Sequence, residues 1–260
     1  MSSPSDPLRA LYEQRAEEQY AAPRPLPDPR VDRKFARICE LVREQLPATA
    51  FLDAGCGDGR HLAALTADLP ERLAGVDLSE RILATARLQA PQRAELLQAS
   101  LESLPFPDGA FDLVLSTQVI EHVPDPPSAA RELARVLAPG GALVISTDNA
   151  RPRVTQALNA PRQLLVRLLG LHHRLGVHSP ATPFAAAELR TLLEDAGFDV
   201  ERVETFRFHL MRPLAFPWAQ RLLNRLDERL ADRGWGDIVA AVARKPQTGA
   251  RPRDGSLTRA

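Results

Sequence analysis

The chain has 260 residues, 44% of them hydrophobic, enough to bury one sizeable α/β core. Lysine plus arginine balances aspartate plus glutamate, 33 against 33, so no net field draws a polynucleotide and nucleic acid is not an expected partner. The two cysteines, Cys39 and Cys56, have neither metal-ligand spacing nor a disulfide pattern; no apolar run reaches the ~18 residues of a membrane span and the polar start has no signal-peptide stretch, which gives the expectation of a cytoplasmic protein.

In chain order, residues 7 to 20 have helical spacing, and Pro23, Pro25, Pro27 and Pro29 then impose an extended linker. Val31, Phe35, Ile38, Val42 and Leu46 recur every third or fourth position, which predicts a core-facing helix ending at Pro47. Residues 1 to 48 read as a helical cap and linker ahead of a main domain over 49 to 245. Strands are expected near 50–54, 72–76, 94–98, 111–116 and 141–147, with helices near 59–69, 79–90 and 127–138. Such alternation, with strands apolar on both faces, predicts a parallel sheet covered by helices on both sides. Right-handed crossovers place the ends of the first, second and fourth strands on one edge, where Asp53, Asp77 and Ser116 to Gln118 converge. A helix from Phe184 to Ala196 and strands over 198–208 and 238–243 close the domain. Residues 246 to 260 are too polar to order and read as a disordered tail.

The first strand runs into Asp53-Ala54-Gly55-Cys56-Gly57-Asp58-Gly59. Alternate glycines let a ligand approach the main chain. The spacing is G-x-G-x-G, not the dinucleotide G-x-G-x-x-G, and a carboxylate at Asp58 is expected to repel a pyrophosphate. Asp77, at the tip of the second strand and about 20 residues on, stands where such folds hold a ribose; Ser79 beside it is the better helix cap.

These residues resemble the class I S-adenosylmethionine-dependent methyltransferases. The likeness lies in Leu52 to Gly59, Gly75-Val76-Asp77-Leu78-Ser79, Leu104-Pro105-Phe106-Pro107-Asp108, Phe111-Asp112-Leu113-Val114, Glu121-His122-Val123 and Leu137-Ala138-Pro139-Gly140-Gly141. It is nearest to the branch containing the ubiquinone and menaquinone C-methyltransferases. The resemblance implies a Rossmann-like, seven-stranded, mostly parallel sheet with an antiparallel last strand, and S-adenosylmethionine as cofactor. It implies that Gly55 and Gly57 take the methionine part, with Asp53 organising the turn and the amino-group contacts. Asp77 would hold both ribose hydroxyls, Leu78 would flank the adenine, the Leu101 N–H would meet its ring, and Thr117 would line the cofactor site. Relatives usually carry an Asp where this chain has Ser100, so a weaker grip on the adenine amino group is expected. In relatives the N-terminal helix lies over the cofactor, a place open to Tyr12 or Tyr20, or to neither if these are only staples.

His122 has two readings: a general base for a phenol or enol, since an imidazole titrates near neutrality, or a packed residue shaping the cavity. Glu121 reads as solvated or bonded to a neighbouring loop. His172, His173, His178 and His209 are weaker candidates, and no metal is expected. Between Asp148 and Glu188 there is no acid, while Arg151, Arg153, Arg162, Arg167 and Arg174 make the stretch basic. A helical insertion at about 150–182 is expected, with residues 151–176 serving as a lid, a substrate wall or a membrane-surface helix. Phe206, Phe208, Phe216, Trp218 and Trp235 could line an apolar substrate site. The expected function is methyl transfer to carbon or oxygen of a small or lipid-like molecule. The alternatives are a nicotinamide-dependent oxidoreductase and a non-catalytic cofactor-binding protein of the same fold.

Overall fold

The computed structural model describes residues 6–19, 22–28, 32–150, 182–206 and 236–247. The elements are α1 (Asp6–Gln19), α2 (Arg33–Arg43), β1 (Ala50–Ala54), α3 (Arg60–Ala64), β2 (Arg72–Asp77), α4 (Glu80–Ala86), β3 (Ala94–Gln98), β4 (Phe111–Thr117), α5 (Pro126–Val136), β5 (Leu137–Asp148), α6 (Ala186–Asp195), β6 (Asp199–Phe206) and β7 (Ile238–Arg244), with a 3₁₀ turn at Ile120–His122 after β4.

The seven strands form one sheet in the order β3-β2-β1-β4-β5-β7-β6. β1 to β5 pair in parallel, and β7 runs antiparallel to both neighbours. The order reverses between β1 and β4, which opens a crevice at their carboxyl ends. The alternating pattern thus yields the expected Rossmann-like sheet, with its antiparallel strand wedged between β5 and β6.

The helices begin where local chemistry provides caps. Asp32 accepts from Phe35 N–H, Ser79 from Ile82 N–H and Asp125 from Ser128 N–H, each satisfying a free donor of the first turn. Successive residues of β1 and β4 feed opposite faces of the sheet. Leu52, Val114, Leu133 and Leu143 pack on one side, with Phe51, Leu113, Leu115, Ile38, Leu41 and Leu62 on the other. Both sides are buried, so every central strand reads as an apolar run. Cys39 lies in the core of α2 as its spacing implied, and Cys56 is buried in the turn after β1.

Several boundaries differ from expectation. The strand over the Leu137-Ala138-Pro139-Gly140-Gly141 block begins at Leu137, ahead of the glycines, because Phe111 pairs with Leu137 before a register shift restores regular pairing at Leu113 and Ala142. The helix expected over 59–69 is regular only at Arg60–Ala64. Among the described residues no helix is long and apolar enough to cross a membrane. The basic insertion 151–181, His172, His173, His178, His209, Tyr20, Phe208, Phe216, Trp218, Trp235 and all but the first two residues of the expected tail lie outside the described residues.

Candidate cofactor and acceptor site

β1 ends at Ala54, and the chain turns through Gly55, Gly57 and Gly59 with φ of 94°, 55° and 79°. These left-handed values explain the glycines. A Cβ on Gly55 would run into Val119, so the turn after β4 lies against the glycine loop. A Cβ on Gly57 would meet nothing within 4 Å. Gly57 therefore leaves open space that a ligand can occupy against the backbone.

Asp77 closes β2. Its Oδ2 accepts from Gly57 N–H and its Oδ1 from Ser79 N–H, both at 3.0 Å. The carboxylate ties the glycine loop to the start of α4 and offers its remaining lone pairs to a ligand. Desolvation pushes Asp77 up to about 6 against the pull of those amides. Asp53 is different. It is fully buried, and neither carboxyl oxygen has a partner. Burial first, then Asp77 and Asp58, raises it to about 8. A buried carboxyl with no donor and no cation is held neutral.

A cavity of about 320 Å³ joins these groups, within the ~300–1,000 Å³ usual for small-molecule sites. Its wall includes Gly55, Gly57, Asp77, Leu78, Ser100, Leu101 and Thr117, so all the expected cofactor residues except Asp53 are brought onto one surface. Asp53 sits just behind the loop, out of the wall. The Ser100 hydroxyl already accepts from Glu102 N–H and lies 3.3 Å from the Glu102 carboxylate. The Thr117 hydroxyl shares a 2.7 Å hydrogen bond with Ser146, which fixes the end of β4 to β5.

His122 and Tyr12 also line the cavity, their rings edge-on with centroids 6.3 Å apart. Tyr12 arrives on α1, which is held by Arg9 Nη2 donating to Gln98 Oε1 (2.7 Å) and by Glu80 N–H donating to Glu13 Oε1 (2.8 Å). The proline-rich segment follows the same edge: Arg24 lines the cavity and donates to Asp58 Oδ2 at 2.8 Å.

The expected repulsion at Asp58 is corrected here: Asp58 is 3% exposed and bonded by Arg24 and by Arg60 (3.0 Å), so its charge is neutralised and it would not repel a phosphate. Of the two readings of Glu121 the bonded one holds: it is 3% exposed, its Oε1 accepts from Asp148 N–H at the end of β5 at 3.4 Å, and burial pushes it up to about 7. Gln118 lies on the cavity wall, at the sheet edge where Ser116 to Gln118 were expected, whereas Arg24, Phe35 and His61 on the same wall had no such signal in the sequence. Phe35 and His61 stack at 4.8 Å between α2 and α3, where their helical spacing signals only a core.

An adenosyl amino acid fits this arrangement. The open cradle at Gly57, the carboxylate at Asp77 and the unpartnered acid behind the loop match a ribose and a zwitterionic tail. The fold and site define a class I nucleoside-cofactor transferase crevice, and comparison with known proteins agrees. Residues 52–145 match the family model described as "Methyltransferase domain". The chain is 38% identical over 174 residues to a probable S-adenosylmethionine-dependent methyltransferase of Mycolicibacterium smegmatis, covering 65% of this chain and 59% of that one. It is 31% identical over 186 residues to the ubiquinone biosynthesis O-methyltransferase of Xanthomonas euvesicatoria pv. vesicatoria, covering 69% of this chain and 72% of that one. The magnesium protoporphyrin IX methyltransferase of Synechocystis PCC 6803, solved with bound SAH, has the same fold, with a TM-score of 0.60 and 16% identity over 92% of this chain and 98% of that one. The chain belongs to the class I S-adenosylmethionine-dependent methyltransferases, whose cofactor is S-adenosylmethionine. It spans about three fifths, 59%, of the length of the mycobacterial relative.

Proposed function

We propose that this protein transfers a methyl group from S-adenosylmethionine to oxygen or carbon of a small or lipid-like acceptor, with oxygen favoured. The main support is the single cavity that carries the glycine loop and Asp77 on one part of its wall and Tyr12 and His122 on another. The likeness to an O-methyltransferase of ubiquinone biosynthesis supports the choice of oxygen.

When bound, the cofactor supplies an electrophilic methyl on a sulfonium. What remains for the chain is positioning. An acceptor oxygen held in line at about 3–3.5 Å reacts with a large proximity advantage. Asp77 holds the ribose hydroxyls, Leu78 flanks the base, the Leu101 N–H meets its ring, and Asp53 organises the turn and the amino-group contacts. His122 takes the acceptor proton as the oxygen–methyl bond forms, and Tyr12 and the 22–28 segment keep water from the cavity. Residues 1–48 act as the cap, 49–245 as the catalytic domain, and the basic stretch 151–176 meets the acceptor or a membrane surface.

Calorimetric titration with S-adenosylmethionine, S-adenosylhomocysteine and a nicotinamide dinucleotide tests the cofactor. Saturable binding of the dinucleotide alone would sink the proposal. Incubation with labelled S-adenosylmethionine and a metabolite extract is expected to label an O-methylated compound. Labelling in the wild type that survives unchanged in His122→Ala would remove the base role. Liposome co-sedimentation with and without 151–176 tests the membrane contact.

A further inference from the structure

Glu121 is a buried acid for which methyl transfer has no use. It sits in the 3₁₀ turn Ile120–His122, one residue before His122 on the cavity wall. Three parts of the chain meet at it. Its main-chain carbonyl accepts from Thr182 N–H at 2.8 Å, and its Oε1 accepts from Asp148 N–H at 3.4 Å. Beside these bonds the chain leaving β5 pairs with the chain approaching α6. Phe184 N–H donates to Asp148 O and Ala150 N–H to Phe184 O, both at 3.2 Å. The turn after β4 is thus fastened to both segments through one residue.

The carboxyl itself is poorly provided for. Its Oε2 is buried without a partner, and among the described residues no arginine or lysine bonds it. Asp148, at the end of β5, repels a charge there. Asp125 and Glu188 accept from Ser128 N–H and Ala185 N–H at the starts of α5 and α6, Asp237 precedes β7, and His122 follows in the same turn. A carboxylate with one long hydrogen bond and no cation is costly to bury, whereas the protonated group is not. Burial above all, with Asp148 adding to it, holds Glu121 up to about 7.

We propose that Glu121 is a positioning residue: its protonated carboxyl clasps the turn that carries His122 to the chain leaving β5 and the chain approaching α6, and the clasp loosens when the proton is lost to solvent. This holds whether or not His122 acts as a base. Opening of the turn exposes the carboxyl, which then ionises at its ordinary value of 4.5, while the closed turn keeps the proton up to about 7. Opening is therefore rarest below about pH 4.5, rises as pH climbs toward 7 and levels off above it. That part of the cavity wall is firm in mild acid and looser at neutrality.

Native-state hydrogen exchange of the whole chain, corrected for intrinsic exchange rates, reads such local opening. The amides of Asp148 and Thr182, bonded to Glu121, and of His122, which donates to Val119 O at 2.9 Å, are followed between pH 5 and 7, with β1 as the reference for global unfolding. In the wild type their opening relative to β1 is expected to rise about tenfold or more over this range. Glu121→Gln keeps the shape of the protonated group and is expected to hold all three at the wild-type pH 5 level throughout. Glu121→Ala is expected to open Asp148 and His122 at both ends of the range. The same rise in Glu121→Gln as in the wild type overturns the proposal, as does wild-type opening that only follows β1, or full protection in Glu121→Ala. If Glu121→Ala does not fold, the profiles of the wild type and Glu121→Gln decide alone.

Discussion

Asp77 awaits its ligand already holding two backbone amides, whereas Asp53, one strand away, has both oxygens buried and unpartnered. At Asp77, the proposed ribose end, the carboxylate has a fixed orientation and ties the glycine loop to α4. At Asp53, the proposed amino-acid end, an unpartnered buried acid burdens the free protein. On the proposed reading, one strand tip serves the fold and the ligand together, while the other serves the ligand at the expense of the fold. That division is the usual stability–function conflict, resolved within a single sheet edge.

The largest expected effect tests the burden at Asp53. Unfolded, the carboxyl ionises near about 3.9, whereas in the folded protein it keeps its proton up to about 8. The folded state therefore binds the extra proton between these values, so stability is full below about pH 4 and falls as pH rises toward 8. Asp53→Asn preserves shape without the ionisation. It is expected to match the wild type in urea unfolding at pH 4 and to exceed it by several kcal/mol at pH 8. Parallel pH curves would mean that Asp53 is charged or partnered in the free protein.

Asp77→Ala breaks the preformed end. It strands the amides of Gly57 and Ser79 and removes the proposed ribose acceptor. A stability loss of about 1–3 kcal/mol and at least about 100-fold weaker binding of S-adenosylhomocysteine are expected. If binding weakens while the melting temperature holds, the carboxylate is not organising the loop. Gly57→Ala probes the cradle between the two ends: the φ of 55° makes a Cβ costly by about 1–2 kcal/mol, and the methyl enters space meant for ligand. Unchanged affinity in that variant would move the ligand away from the loop. The smallest effect is at the adenine end. Ser100→Asp is expected to tighten cofactor binding by less than about tenfold, because the new carboxylate shares its surroundings with Glu102. No gain in titration would place the adenine amino group elsewhere.

Much of this contrast was legible in the chain. Asp53 and Asp77 stand out because each ends an apolar run, and Gly55 and Gly57 because no other residue suits a tight turn at those positions. Ser79 was readable as a cap from its place before a helical pattern, and it caps α4. Gln118 was legible only as a strand-end residue converging on the crevice. Its place on the wall depends on a backbone conformation set by Ser146, 28 positions later in the chain, and on Val119 meeting Gly55. Arg24 was hidden for a similar reason: in sequence it is one basic residue among prolines, and only the path of the segment along the sheet edge brings it to Asp58. The Asp58 carboxylate looks repulsive in the sequence because the two arginines that neutralise it, Arg24 and Arg60, meet it only in the fold.

Local patterns, then, determined the order of strands and helices, the parallel sheet, the crevice at the β1–β4 reversal and the family. Periodicity, glycine spacing and acids at strand tips are properties of neighbouring residues, and the sequence records neighbours directly. Only the tertiary structure decided which polar groups are satisfied. Asp53 and Asp77 occupy similar places in sequence, each closing a strand before a turn, yet one is held by two amides and the other by none. Hydrogen-bond satisfaction depends on groups brought together from distant parts of the chain, and burial fixes what each unmet bond costs.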